Sequence, residues 1–183
     1  MGQFLNTFAE PSVGAVLKKA KKSRPEIEWE KTMEGTMKFN VDGAANASMG
    51  EAGIGGVLRN SRGEIRMMFS KSIGVGDSSL AEVLAIREAF VMFIASQRRD
   101  SHMLVKSVSL NAVEWVQEPK SAPWRLRKWV LHIEALKRRV TNWAIKHVRR
   151  EANHHVDNLA KSGIGREIDL INTWVDGPNS QEE

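Results

Sequence analysis

From Met37 onward, hydrophobic and polar positions fall into regular periods. Residues 37–42, MKFNVD, alternate as a strand and run into Gly43, a turn signal. Residues 52–60, AGIGGVLRN, read as a second strand, with glycines where another backbone can approach closely. The turn-like Asn60-Ser61-Arg62-Gly63 leads into a third strand, 64–72, EIRMMFSKS. Two short connections make these three an antiparallel meander. A long helix follows: Ser78 or Ser79 can cap it, and Leu80, Val83, Leu84, Arg87, Val91 and Ile94 recur at helical spacing. Residues 103–108, MLVKSV, form a short fourth strand, and 110–116 a short helix. Pro119 and Pro123 break the chain, and Pro123 suits the first turn of a helix over 123–139. Residues 142–148 alternate as a fifth strand. A last helix runs from about Ala152 to Lys161 and stops at Gly163. The order βββαβααβα predicts an α/β fold: a five-stranded mixed sheet, its first three strands antiparallel, with helices on its faces.

Outside this region the periods fade. Residues 1–36 have no sustained hydrophobic period and are expected to form a largely flexible N-terminal extension. The domain spans 37–165, and 166–183 are expected to be a C-terminal tail. At 183 residues the chain suits one domain with appendages. The start lacks the basic n-region and apolar core of a secretory signal, and Asn6 breaks the myristoylation pattern. No apolar run is long enough for a membrane span. The expected setting is therefore intracellular, nuclear or cytoplasmic, and the expected state a monomer. Cys is absent, which excludes a disulfide scaffold, a thiolate zinc site and a cysteine nucleophile together.

Net charge is +5, but it is unevenly spread. Residues 120–151 hold ten Lys/Arg against only Glu134 and Glu151, whereas residues 152–183 are net acidic. A concentrated basic segment points to a polyanion partner, and a solvated helix face explains it equally well on charge alone. A second cluster, Lys18, Lys19, Lys21, Lys22 and Arg24, could be a nuclear address or a phosphate-binding arm, or simply a Lys-rich tail.

Carboxylates near strand ends matter because metal-dependent phosphodiester chemistry needs hard oxygen ligands in a cluster. Asp42 ends the first strand, Glu82 sits in the first turn of the long helix, and Asp157 lies in the final helix. Singly, each also reads as an ordinary turn, helix-terminal or surface residue. His147, His154 and His155 lie close in sequence, but without Cys or a recognised His spacing they do not make a zinc motif.

The segments KFNVDGAAN (38–46), GIGGVLRNSRGEI (53–65), AEVLAIREAF (81–90) and HVRREANHHVDNLAKSG (147–163) resemble the type 1 ribonuclease H family. The likeness is greatest to the plant, retrotransposon-derived form called reverse-transcriptase-like, and it covers roughly residues 37–165. It implies a ribonuclease H-like fold with helices on both faces of the sheet. It also implies descent from endonucleases that cut RNA in RNA–DNA hybrids with two Mg²⁺ (or Mn²⁺) ions. By position, Asp42, Glu82 and Asp157 match catalytic, metal-binding carboxylates. His147 resembles the family's mobile histidine, and Asn153 matches a residue that contacts the nucleic-acid strand.

One match fails. Where the plant family carries a pattern close to V-E-S-D-S, this chain reads Val105-Lys106-Ser107-Val108-Ser109. Val108 stands at the remaining metal-binding Asp and Lys106 at a usual Glu. Valine has no oxygen to offer, so three carboxylates would face two doubly charged ions, and Mg²⁺ tolerates incomplete oxygen coordination poorly. Weak metal binding and impaired catalysis are expected, on a fold left intact. A non-catalytic module that binds nucleic acid or another protein is the alternative. The resemblance also gives the basic segment a role: in many family members this region is a handle that grips the hybrid. Arg125, Arg127, Lys128, Arg149 and Arg150 are the candidate phosphate contacts, with Trp124 as a stacking surface.

Overall fold

The computed structural model describes residues 34–175. The expected flexible extension and its Lys-rich cluster lie outside them, apart from a turn at Glu34 and Gly35. Strands β1 (Thr36–Asn46), β2 (Glu51–Arg59) and β3 (Ile65–Val75) form the antiparallel meander. They are followed by α1 (Ser78–Ala95), β4 (His102–Ser107), α2 (Leu110–Gln117), α3 (Arg127–Lys137), β5 (Trp143–His147) and α4 (His154–Gly163). β4 lies parallel to β1, and β5 parallel to β4.

The sheet has six strands, not five. β6 (Leu170–Thr173) pairs antiparallel with β3, giving the order β5-β4-β1-β2-β3-β6. The sequence hides this strand because only four residues pair, and one face of a short edge strand needs no sustained apolar alternation. Part of the segment expected to be a tail therefore covers the β3 edge, and Trp174 N–H adds a bond to the Arg66 carbonyl.

Local chemistry explains the other shifts in boundary. Asp77, rather than either serine after it, caps α1: its Oδ1 accepts from Leu80 N–H at 2.9 Å. α3 starts four residues after Pro123. Leu126 N–H bonds Pro123 O and Arg127 N–H bonds Trp124 O, so the chain winds in tighter i→i+3 turns before it becomes α-helical. Residues 150–153 are likewise a single 3₁₀ turn, and α4 begins only at His154.

Alternation along β1 separates two environments. Phe39 and Val41 are fully buried in the main core with Phe69, Ile86, Phe90 and Phe93, under α1, α2 and α3. Asn40 and Asp42 point to the other face, where α4 crosses β1, β2 and β3. Two glycines set how closely the helices approach. A Cβ on Gly43 would lie 2.4 Å from the backbone of Ala81 and Glu82, and one on Gly55 would lie 2.5 Å from Ala160 N. Only a glycine admits that contact. Asp42 is the neighbour of Gly43 and the cross-strand partner of Gly55, so it lies between the two docked helices.

Candidate functional site

Asp42 is 2% exposed, at the level of β1 where α1 and α4 both abut the sheet. Its Oδ1 accepts from the Gly43 N–H at 2.9 Å, and its buried Oδ2 has no hydrogen-bond partner among the described residues. Burial pushes its pKa up to about 6. The Gly43 bond opposes that rise, repulsion from Asp157 adds to it, Arg150 opposes it, and Glu82 adds a little more. Glu82 is held above the usual carboxylate range, first by burial, with the Ser109 hydroxyl and Arg150 pulling the other way. Asp42, Glu82 and Asp157, far apart in sequence, are thus brought close enough for Asp42 to feel both other charges.

Val108 follows β4 directly and is half-buried. Its carbonyl accepts from His147 Nε2 at 3.2 Å, which requires the proton on Nε2 because a carbonyl cannot donate. The exposed His147 therefore hangs beside Val108 at the parallel ends of β4 and β5.

Ser109 is the residue the sequence reading passed over. Its Oγ accepts from Ala112 N–H, capping α2, and donates to Glu82 Oε2. One hydroxyl thus ties the start of α2 to the site carboxylate on α1. A serine directly before the helical run at 110–116 is an N-cap signature, and that was the available signal. Asn153 stands directly before α4. It is 1% exposed, its Nδ2 donates to the Val41 carbonyl and its Oδ1 accepts from Asn40. The amide fastens the head of α4 to β1, next to Asp42.

RNase H proteins normally use divalent metal ions. The donors here do not fit a pair of them. Asp42 offers an unpartnered oxygen, but Glu82 Oε2 is engaged by Ser109 and Asp157 Oδ2 by Lys161 Nζ at 2.6 Å. Val108 offers nothing. Among the described residues no group of three or more His, Cys, Asp or Glu side chains could hold a metal ion.

The basic residues are less uniform than their spacing suggests. Arg127 and Lys128 are exposed on the first turn of α3, and Lys128 Nζ lies 4.6 Å from the Trp129 ring. Trp124, 86% exposed, stands in the turn before the helix. Arg125, also in that turn, pairs with the α1 cap Asp77 at 2.6 Å, so its charge is partly answered. Lys137 is drawn inward to the Val116 carbonyl and the Trp143 ring, and desolvation lowers its pKa. Arg149 and Arg150 are exposed between β5 and α4, and Arg150 acts on both Asp42 and Glu82. The carboxylate pocket therefore has a cation at its border.

A mixed sheet of this order, with Asp42 inside β1, which runs four residues beyond the end expected for it, and with Glu82 and Asp157 near the starts of α1 and α4, defines a ribonuclease H-like domain. The sequence profile described as "Reverse transcriptase-like" matches residues 40–163, more than half of the chain, and the chain belongs to that family. Solved structures agree in fold. RNase H1 from the halophilic archaeon Halobacterium salinarum NRC-1 superposes with a TM-score of 0.65 at 23% identity, covering 70% of this chain and 96% of that one. LC11-RNase H1, isolated from compost by a metagenomic approach and solved with an RNA/DNA hybrid, gives 0.60 at 26% identity, with 70% and 96% covered. The foamy viral protease-reverse transcriptase, also solved with a hybrid, gives 0.58 at 17% identity, covering 84% of this chain but 23% of that one. No curated protein matches the sequence. No helix among the described residues is long and apolar enough to cross a membrane.

Proposed function

We propose that residues 37–165 form an intracellular, monomeric nucleic-acid-binding domain that takes RNA–DNA hybrid or RNA and cleaves it weakly or not at all. The observation that carries this reading is Val108 standing where the carboxylate set needs another acid, while exposed cations remain on α3 and beside α4. Binding and cleavage make different demands. Phosphate affinity comes from distributed Lys and Arg and from counterion release, which needs no metal. Cleavage by two ions needs a complete oxygen shell. Losing one acid damages the second and spares the first. The Mg²⁺ or Mn²⁺ dependence and retrotransposon ancestry implied by the resemblance belong to this reading, with any ion held weakly.

Arg127, Lys128, Arg149 and Arg150 are the phosphate contacts in this reading, Arg125 a reserve already paired to Asp77, and Trp124 a stacking surface. Recognition rests on shape and 2′-hydroxyls more than on base identity. The partnered states of Glu82 and Asp157 favour the non-catalytic end of the range. The test is a titration of labelled hybrid at several salt concentrations, with Arg125, Arg127 and Lys128 changed to Ala together. Affinity should fall across unrelated sequences, and the salt slope should flatten by roughly two to three units, near 0.9 per phosphate contact. An unchanged slope returns α3 to the status of a solvated face.

A further inference from the structure

The basic turn before α3 is fixed in its backbone and, at Arg125, in a side chain. Ala122 and Leu126 are buried on either side of it, and bonds from Leu126 N–H to Pro123 O and from Arg127 N–H to Trp124 O hold the chain between them. Trp124 and Arg125 are left exposed. Arg125 Nη1 then donates to Asp77 Oδ2 at 2.6 Å. Asp77 divides its carboxylate between two tasks: Oδ1 caps α1 through Leu80 N–H, and Oδ2 holds Arg125. The Leu80 bond above all keeps its pKa below the ordinary carboxylate value. Burial opposes that effect, Arg125 adds to it, and the group stays charged at neutral pH. A helix start and an arginine are both ready partners for an anion. Here one carboxylate answers both, five residues before Glu82 on the same helix, and its charge reaches Glu82.

We propose that Asp77 is an internal competitor for phosphate, occupying Arg125 until nucleic acid held by Arg127 and Lys128 exchanges with it. This rests on the reading of the α3 segment as a phosphate surface. The strengths allow the exchange. Both side chains are about half exposed, 46% and 52%. An ion pair that open to water is weak, and a phosphate already tethered nearby competes at high effective concentration. When Arg125 leaves, Asp77 keeps its bond to Leu80 N–H, so α1 remains capped. Removing the carboxylate acts twice in one direction, since it frees a cation and takes away a repelling anion. The opposing effect, a looser Arg125 side chain, is limited because Nη1 alone is held.

Asp77→Ser separates the two tasks: serine caps a helix as well as aspartate does, but has no second oxygen for Arg125. Asp77→Asn, an equally good cap without the charge, is the second variant. Labelled RNA–DNA hybrid is titrated at several salt concentrations against the full-length chain, with each change made alone and in an Arg125→Ala background. Alone, each should raise affinity about three- to fivefold, the worth of one exposed ion pair. The salt slope should steepen by up to about 0.9, one phosphate contact. In the Arg125→Ala background the gain should stay under about twofold, because the coupled partner is gone, and the slope should not move. An equal gain in both backgrounds overturns the proposal, since Asp77 then acts by repulsion alone. A loss of affinity overturns it too, and makes Asp77 a residue that presents Arg125 to phosphate. Arg127→Ala with Lys128→Ala tests the underlying reading separately. If that pair leaves binding unchanged, both the reading and this proposal fall. If it weakens binding while the Asp77 variants bind like their parent, this proposal alone falls.

Discussion

At Asp42, burial and neighbouring carboxylates push in one direction, and the consequence is a pH-dependent stability. The folded pKa of about 6 lies above the ordinary 3.8, so between these values the native state binds more protons than the unfolded state. Stability therefore falls as pH rises from about 4 to about 6, by about 2 to 3 kcal/mol at most. Asp42→Asn should remove that slope and leave the protein more stable than its parent at pH 7, measured by urea unfolding in chelator from pH 4 to 7. The complementary change is Val108→Asp. In chelator it adds a negative charge beside Asp42 and Glu82 and should lower stability. With Mn²⁺ it should raise hybrid cleavage from very weak or undetectable to measurable, and adding Lys106→Glu should not reduce the gain. A parent protein that already cleaves at an ordinary enzyme rate of ~10 per second would show that the missing acid is not missed. If Val108→Asp folds normally and stays inert, the defect lies elsewhere in the site.

The helices carry the site only because the sheet lets them approach. α4 brings Asp157 to Asp42 across Gly55, and α1 brings Glu82 across Gly43. Gly55→Ala must move either the α4 backbone or β2, since the added carbon would stand 2.5 Å from Ala160 N and 2.7 Å from Leu159 Cβ. Overpacking of this kind costs about 1 to 3 kcal/mol. A thermal melt should show the loss, and the Asp42 titration should shift as Asp157 moves away. Asn153→Ala tests the other end of the same contact. It leaves the Val41 carbonyl and the Asn40 amide without their partner, at about 1 to 3 kcal/mol. If Asn153→Ala keeps its stability and loses hybrid affinity, the side chain contacts the strand after all.

For the whole molecule, β6 decides where the domain ends. A sheet edge left open at β3 would present unpaired backbone groups beside Met67 and Phe69. A chain ending at residue 165 should therefore melt at a lower temperature than the full chain, with faster amide exchange along β3 and a stronger tendency to associate. Equal melting temperatures would make the segment after Gly165 the appendage that its sequence suggests.

Much of the fold is legible in the residues. Five strands and the four main helices follow from alternation, helical spacing and Gly/Pro punctuation, because these elements bury one regular face. The order of carboxylates and the valine at position 108 are matters of sequence as well, since a valine lacks ligand oxygens wherever it is placed. What escaped depends on contacts between distant segments. β6 is too short to carry a period, Asn153 became a buried clamp only when α4 met β1, and Arg125 found Asp77 across the helix layer. Ser109 joined two roles because the start of α2 lies against α1. A side chain's type and spacing determine what it can offer. Which of those capacities is already used inside the fold depends on the neighbours that tertiary packing brings to it.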